Sequence, residues 1–446
     1  MRLASSLVIL ALLIAGSVSI SGGQAAPKSN VANVIDTYCS SCHNGTMRSP
    51  SGVLLDQFDV GRIGEAPDVW ARAYRQLQAG TMPPVGAPRP DRAMYDSVVT
   101  SIEQAWGTKA KANVPATSQD IAARLATLLW DSAPDASLLQ DAQRNRLSEP
   151  AVLERQIHRM LGDDRARAFA SRFFFPWLGL DKLRTADPEK KFFPDYDVSL
   201  RDGFARETEM FLLSQLRDDR DPVELWGANY TFLNEQLARH YDIPNVKGSQ
   251  FRKVTLPLPE RTGLLGQGSV LMATSRHGHG PDAAYTTPAG RSIWVRLHFL
   301  GAPAPMPFPN AAPVKPEFPI TPQTRKLPVE PCMTCHRNFF PLGYALENFD
   351  PIGRWRTHDQ AGPVDVSGTF VDGSPTNGVV ELRKVLLQRP EAFRTTITEG
   401  LLVYASGEPV GSARSPETLV RAREILRGVK NPRWSAVIAG VVRNGG

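Results

Sequence analysis

The sequence contains two similar stretches, Cys39-Ser40-Ser41-Cys42-His43 and Cys332-Met333-Thr334-Cys335-His336, which together hold all four cysteines of the 446-residue chain. Both read C-x-x-C-H, the attachment signature of c-type haem. The two thiols of such a motif add to the two vinyl groups of the porphyrin, and the adjacent imidazole reaches the iron. The pattern therefore predicts two haem c groups with covalent attachment through Cys39, Cys42, Cys332 and Cys335, and with His43 and His336 as proximal iron ligands.

Two other uses of these cysteines stay open from spacing alone, a zinc ribbon and a set of redox dithiols. A zinc ribbon needs the two cysteine pairs to converge on one ion, and it does not need a histidine directly after each second cysteine. The histidine in both motifs favours haem.

The residues around the first motif indicate a small helical unit. We expect a helix to end at Tyr38, a second helix over 67–79 with an apolar stripe, and a third over 92–106. Between the last two lies Met82, followed by Pro83 and Pro84. Because the prolines hold this loop in one place, Met82 is predicted to donate its thioether to the iron of the first haem as the second axial ligand. The alternative is a methionine that only fills a gap in the core.

The second motif has no matching methionine, since Met333 lies inside the motif itself. The distal side of the second haem is therefore predicted to take His358, to take His277 or His279 from a glycine-flanked loop, or to be open. His158, His240 and His298 are expected to be packing residues.

Haem propionates are anionic and need donors when they are partly buried. Arg354 and Arg356 follow the second motif and are candidate propionate contacts, and Arg89 is a candidate beside Met82. The alternative is that these are ordinary surface arginines. The sequence shows no Ser-His-Asp order, phosphate-binding loop or carboxylate pair, so we assign no catalytic residue.

The N-terminus has the layout of an export signal. Met1 and Arg2 precede an unbroken apolar run, Leu7 to Ala15, and small residues follow up to Ala26. We interpret residues 1–26 as a cleaved signal peptide, with an uncleaved anchor as the alternative. The protein is then expected in the periplasm, with no membrane span in the mature chain.

The composition excludes wholesale disorder and a multi-span membrane protein, because hydrophobic residues make up 42% and charged residues 22%. The net charge is +6. Its basic residues are spread along the chain, which argues against nucleic acid as a partner. The same balance would suit docking to a periplasmic redox protein with an acidic patch.

The helical periodicity of most segments predicts a mainly α fold with four parts. These are a cytochrome c-like domain with the first haem at 27–112, a helical middle domain at 113–250, a helical and proline-rich connecting domain at 251–328, and a second haem domain at 329–446. Within them we expect helices over 199–216, 232–241 and 263–274, and strands over 252–256 and 364–371.

Several elements resemble the planctomycete-type multidomain c-type cytochromes. They are Phe173-Phe174-Phe175-Pro176-Trp177-Leu178, the run Asn234 to Pro244, the run Arg261 to Thr274, and, after the second motif, Pro341 to Asp350 with Ile352 to Arg356. The order is collinear over about residues 31–442. The resemblance implies two c-type haems and names no substrate. The chain departs from the pattern at Thr286-Thr287-Pro288-Ala289-Gly290-Arg291, where the family usually reads T-S-P-V-x-R-G.

Two functions of different classes follow from these features. The first is a dihaem electron-transfer protein that works between a redox enzyme and an acceptor. The second is a dihaem oxidoreductase, peroxidase-like or substrate-oxidising, in which the second haem is open. A subunit docked on another enzyme is a third reading, with the helical middle as its interaction surface.

Overall fold

The computed structural model describes residues 30–46, 53–57, 60–107, 116–277, 286–302, 340–359, 362–411 and 414–444. The proposed signal peptide, the second cysteine motif, His279 and the proline-rich stretch 303–328 lie outside these residues.

The described chain is mainly helical, as the sequence predicts. Its longer helices are α1 (Asn30–Tyr38), α2 (Pro67–Gln78), α3 (Arg92–Gly107), α4 (Ser118–Trp130), α5 (Ala136–Gln143), α6 (Pro150–Gly162), α7 (Val198–Arg217), α8 (Glu235–His240), α9 (Gly268–Ala273), α10 (Pro288–His298), α11 (Phe340–Tyr344), α12 (Gly378–Leu387), α13 (Pro390–Ala405), α14 (Pro416–Arg427) and α15 (Trp434–Asn444). Short helical turns lie between them at Leu55–Gln57, Val60–Glu65, Asp164–Ala166, Arg167–Phe169, Ala170–Phe174, Phe175–Trp177, Leu180–Thr185, Glu224–Gly227, Pro259–Arg261 and Leu264–Gly266.

The strands form three small antiparallel pairs. They are β1 (Tyr230–Leu233) with β2 (Arg252–Thr255), β3 (His358–Asp359) with β4 (Gly362–Pro363), and β5 (Ser367–Thr369) with β6 (Pro375–Asn377). The predicted strand over 252–256 is confirmed. The predicted helix over 232–241 is wrong at its start, because residues 232 and 233 pair with β2 and Asn234 caps α8 through its side chain.

Local sequence explains where several helices begin. Thr117 accepts a hydrogen bond from the amide of Asp120, whose carboxylate accepts one from the amide of Thr117, and this capping box starts α4. The helices α2, α6, α10, α13 and α14 each have proline in their first two positions, where the missing N–H has no helical partner to lose.

The larger core is built around the aromatic run that the sequence places at 173–178. Phe173 and Phe174 are fully buried, Phe174 packs edge-on against Trp434, and Trp177 packs edge-on against His298. This core takes buried side chains from all three of the predicted domains after residue 112. Those three segments therefore share one hydrophobic core.

A second, smaller core belongs to the segment that carries the first cysteine motif. It consists mainly of buried side chains from α1, α2 and α3, including Ile35, Trp70 and Ile102. Leu419 and Val420 of α14 complete it. We call this segment, residues 30–107, the first unit.

Buried ion pairs join the first unit to the C-terminal helices. Arg75 of α2 donates to Glu399 of α13 at 2.7 Å, and both side chains are almost fully buried. Glu103 of α3 accepts from Arg423 of α14 at 2.8 Å and from Tyr74 at 2.6 Å. The first unit is therefore docked on the rest of the protein by charge as well as by apolar packing.

Within the described residues, every helix is too short or too polar to pass through a lipid bilayer.

Candidate functional site

The first cysteine motif forms a tight turn at the end of α1. The amide of Cys39 donates to the carbonyl of Ile35 at 2.9 Å. The amides of Cys42 and His43 then both donate to the carbonyl of Cys39, at 3.1 and 2.9 Å. The backbone therefore keeps turning as it does in a helix. The side chains of Cys39, Cys42 and His43 all project from this short turn.

The ring of His43 is held in one orientation. Its Nδ1 lies 3.0 Å from the carbonyl oxygen of Val53. Since a carbonyl only accepts, Nδ1 carries the proton in this contact, and the lone pair of the neutral ring is on Nε2. The His43 carbonyl also accepts from the amide of Leu55 at 2.8 Å. A hydrogen bond from one ring nitrogen to a backbone carbonyl is the usual way in which proteins orient a metal-binding histidine.

The two thiols of the motif are free and differ in environment, because Cys39 is half-buried and Cys42 is exposed. Burial, with a smaller contribution from Cys42, raises the pKa of the Cys39 thiol to about 11. Catalytic dithiols of the C-x-x-C type depend on a lowered thiol pKa. The raised value therefore argues against the redox dithiol alternative for the first motif.

The loop that carries Met82 is held by a side chain of α3. Tyr95 of α3 donates its hydroxyl hydrogen to the Met82 carbonyl at 2.7 Å. The pKa of Tyr95 is raised, mainly by burial, and the nearby Cys39 adds to the shift. Tyr95 thus contacts the Met82 loop, and Cys39 is near enough to affect its pKa.

These residues fit a c-type haem by their chemistry. Two thiols, an oriented imidazole and a thioether in one unit are the donor set of a His/Met c-type centre. In the same core, the indole nitrogen of Trp70 is buried and has no hydrogen-bond partner among the described residues. A buried N–H without an acceptor is costly, so this core lacks a polar group that a bound cofactor with carboxylates could supply.

The residues that follow the second motif form a buried charge cluster. Glu347 is fully buried and lies between Arg291, at 3.1 Å, and Arg356, at 3.2 Å. Thr286 donates its hydroxyl hydrogen to the same carboxylate. Arg291 also donates to the carbonyl of Leu346 at 2.6 Å. We call Thr286, Arg291, Glu347 and Arg356 the Glu347 cluster, and it ties the start of α10 to the segment behind the second motif.

The candidate propionate ligands Arg354 and Arg356 have protein partners. Arg354 pairs with Asp195 at 2.8 Å, and both side chains are well exposed. Arg356 belongs to the Glu347 cluster. Arg89 donates to the backbone carbonyls of Gly80, Pro83 and Val371. All three arginines therefore have an assigned structural contact, and their role toward a propionate stays a prediction.

The candidate distal histidines lie in different places. His358 is exposed in β3 and contacts the Thr357 hydroxyl at 3.1 Å. His277 is partly buried, and its Nε2 lies 2.8 Å from the Met272 carbonyl. Burial lowers the pKa of His277, with Arg291 nearby as a smaller cause. His277 is thus brought to the edge of the Glu347 cluster, whereas His358 is not.

The predicted packing roles hold for two of three histidines. His298 and His240 are buried. His158 is exposed, so the packing prediction is wrong there. It sits on the outer face of α6 near Glu154 and Asp219, with Nε2 at 3.7 and 3.6 Å from their carboxylate oxygens.

Sequence reasoning missed the Glu347 cluster. The sequence assigns no role to Glu347, and Arg291 lies in a segment that departs from the family pattern. The available signal was that Glu347 directly follows the apolar run Leu342 to Leu346 and stands two residues before Phe349. A charged residue that is buried with such a run needs a partner of opposite charge.

Two family models match parts of the chain. Residues 117–243 match PSD4, described as a protein of unknown function (DUF1592), and residues 261–359 match PSCyt3, described as a protein of unknown function (DUF1588). The names point to a planctomycete-type, cytochrome c-like multidomain protein. No curated protein matches the chain. No solved structure matches it.

Proposed function

We propose that the protein is an exported dihaem c-type cytochrome that transfers electrons between a periplasmic redox enzyme and an acceptor. One observation carries this proposal: the orientation of His43 by the Val53 carbonyl, directly beside two free thiols with the haem attachment spacing. The PSCyt3 match over the second motif supports the same class of protein.

The bound haem would supply one-electron chemistry at its iron. Cys39 and Cys42 would hold it covalently, and His43 and Met82 would be its axial ligands. The apolar core of the first unit would keep water from the iron, which together with a thioether ligand favours a high potential. Cys332, Cys335 and His336 would hold the second haem in the same way.

The docking of the first unit on the C-terminal helices supports transfer within the molecule. The contacts Arg75 with Glu399 and Glu103 with Arg423 bury charge between the parts, so separation would expose or unpair buried charges. A fixed relation between the two haem-bearing segments is what an internal electron relay requires.

The second candidate function is a dihaem oxidoreductase with an open second haem. The observation in its favour is that His358, the candidate distal ligand nearest to the second motif in sequence, lies in an exposed hairpin. His277 is then the described candidate for closing the site, because its Nε2 is held by the Met272 carbonyl and the lone pair of the neutral ring is on Nδ1. An open iron site would admit peroxide, cyanide or a substrate oxygen.

The exported location and the partner belong to the proposal as well. The signal-like residues 1–26 support passage to the periplasm, where attachment of c-type haem takes place. The net charge of +6 supports a docking partner with an acidic surface.

Mass spectrometry of the protein produced with a haem attachment system tests the proposal. We expect two covalent haem adducts per chain. The Cys39→Ala, Cys42→Ala double variant should lose one of them, and the Cys332→Ala, Cys335→Ala double variant should lose the other. A disulfide within either motif, or a bound zinc ion in place of haem, would contradict it.

Cyanide titration of the ferric protein separates the two candidate functions. A relay with both irons six-coordinate should bind cyanide only slowly, because cyanide must first displace an axial ligand. An oxidoreductase should bind one cyanide per chain rapidly, at the second haem. His358→Ala and His277→Ala variants then show whether either histidine closes that site.

A further inference from the structure

Arg89 holds the backbone on both sides of Met82. It lies in the loop between α2 and α3, and its Nη2 donates to the Gly80 carbonyl at 2.6 Å. Its Nη1 donates to the Pro83 carbonyl. The planar guanidinium has several donors in a fixed arrangement, so one side chain can hold two separate turns of a loop.

A second side chain completes the support of this loop. The Tyr95 hydroxyl donates to the Met82 carbonyl, and the Arg89 guanidinium lies 5.8 Å from the centre of the Tyr95 ring. The carbonyls of residues 80, 82 and 83 are therefore all occupied by these two side chains. The backbone around Met82 is therefore held by the side chains of residues 89 and 95.

Arg89 also reaches beyond the first unit. Its Nη1 donates to the carbonyl of Val371 at 3.1 Å, in the turn between β5 and β6. Gly368 of β5 lies so close to α11 that an added Cβ would stand 2.2 Å from the Pro341 carbonyl oxygen. The helix α11 follows the second cysteine motif by a few residues. A short series of contacts thus connects the Met82 loop with the segment behind the second motif.

We propose that Arg89 is the positioning residue for the Met82 ligand, and that through Val371 it makes the strength of this ligation depend on the module of the second motif. The inference rests on the proposed function, because it requires Met82 to bind the first haem iron. A thioether is a weak ligand, so its occupancy depends on how firmly its loop is held. Without Arg89, two carbonyls of that loop lose their donor and the loop can move away from the iron.

The test follows the Fe–S charge-transfer band of the ferric dihaem protein while imidazole is added as a competing ligand. This band reports only the methionine-ligated iron, so binding at the second haem does not disturb it. For Arg89→Ala, we expect the imidazole concentration that removes half of the band to fall about tenfold. Arg89→Lys keeps the charge and loses the forked geometry. Its half-displacing imidazole concentration should lie between the values for Arg89→Ala and the parent.

Arg92→Ala is the matched control, because it removes a positive charge three residues away. Its side chain is exposed and pairs only with Asp96 in the described structure. The half-displacing imidazole concentration of Arg92→Ala should stay within about twofold of the parent's value. If Arg89→Ala behaves like Arg92→Ala, the positioning role is overturned. If Arg89→Ala does not fold, Arg89→Lys and Tyr95→Phe decide the question by the same titration.

A variant in the other module tests the connection through Val371. Gly368→Ala must displace the hairpin from Pro341, and it should lower the half-displacing imidazole concentration although it lies far from Met82 in sequence. Ser367→Ala, at the exposed neighbouring position, should not. An unchanged value for Gly368→Ala would overturn the dependence on the second module.

The Met82→Ala variant separates two claims, that Met82 binds the first haem iron and that Arg89 positions Met82. Loss of the band confirms the ligation on which the inference rests. If the band is absent from the parent or survives in Met82→Ala, the assignment of Met82 fails, and the Arg89 proposal fails with it. If Met82→Ala loses the band and Arg89→Ala keeps the parent's titration, only the Arg89 proposal fails.

Discussion

The first unit and the segment behind the second cysteine motif are supported in different ways. In the first unit, the motif turn packs on a small apolar core, and its histidine is held by a backbone carbonyl. Behind the second motif, the chain is held by the Glu347 cluster, in which a fully buried carboxylate lies between two arginines. The same five-residue signature therefore belongs to a segment stabilised by an apolar core in the first case, and it is followed by a segment stabilised by buried ion pairs in the second.

The difference shows how position in a fold changes what a motif needs. The first unit is small, so its three helices and two side chains of α14 are enough to form its core. The second segment lies against α10, within the large core. There the chain must bury polar backbone as well, and Arg291 satisfies the carbonyls of Leu346 and Asp350 while it pairs with Glu347. The buried ion pairs favour one arrangement of these side chains, because separating a pair would leave a buried charge without a partner at a high cost in free energy.

The ionic support is broken most directly by Glu347→Ala. The change leaves the fully buried Arg291 and the mostly buried Arg356 without their carboxylate, so we expect the free energy of unfolding to fall by about 3–5 kcal/mol. Urea denaturation measures this loss. Asp195→Ala removes the carboxylate of the exposed Arg354 pair and should cost less than about 1 kcal/mol. Equal effects of the two substitutions would contradict the difference in burial.

The apolar support is broken by Ile102→Ala in α3. This fully buried side chain belongs to the core of the first unit, and its truncation should lower the free energy of unfolding by about 3 kcal/mol. Thr100→Ala, at an exposed position of the same helix, is the control and should change little. An Ile102→Ala protein as stable as the control in urea would show that the small core does not support the unit.

Another buried carboxylate sharpens the ionic half of the comparison. Glu207 is as buried as Glu347, but it accepts hydrogen bonds from the hydroxyls of Thr231 and Tyr241. Burial raises the pKa of Glu207 to about 7, and the two hydrogen bonds and Arg261 oppose the shift only in part. Between the unfolded pKa near 4.5 and the folded value, the native state binds more protons than the unfolded state.

The stability that comes from protonated Glu207 is therefore fully present below about pH 4.5 and is lost as the pH rises through about 7. From pH 5 to pH 8 this should amount to a decrease on the order of 2 kcal/mol. In Glu207→Gln the amide does not titrate, so its urea stability should fall less over the same range. A parallel pH dependence in the parent and the variant would show that Glu207 is not the responsible group.

Much of the fold and part of the site followed from local features of the sequence. Helical periodicity predicted the mainly α fold and most helix positions, because apolar spacing is a property of each segment by itself. The C-x-x-C-H pattern lies within five residues, so haem binding by Cys39, Cys42 and His43 could be predicted from those residues alone. Where a strand pairing overrode a local helix signal, as at residues 232 and 233, the local inference was wrong.

Only the tertiary structure decided which distant groups meet. The pairs Arg291 with Glu347, Arg75 with Glu399 and Arg89 with Val371 join residues far apart in sequence. From the sequence alone, a single arginine or glutamate is equally compatible with an exposed surface position, a contact to haem or a place in a buried ion pair. The choice among these depends on packing, which determines the burial of each charge and the partner within its reach. The proposed chemistry of the first motif can thus be predicted from the sequence, whereas the contacts that surround the motif depend on the fold.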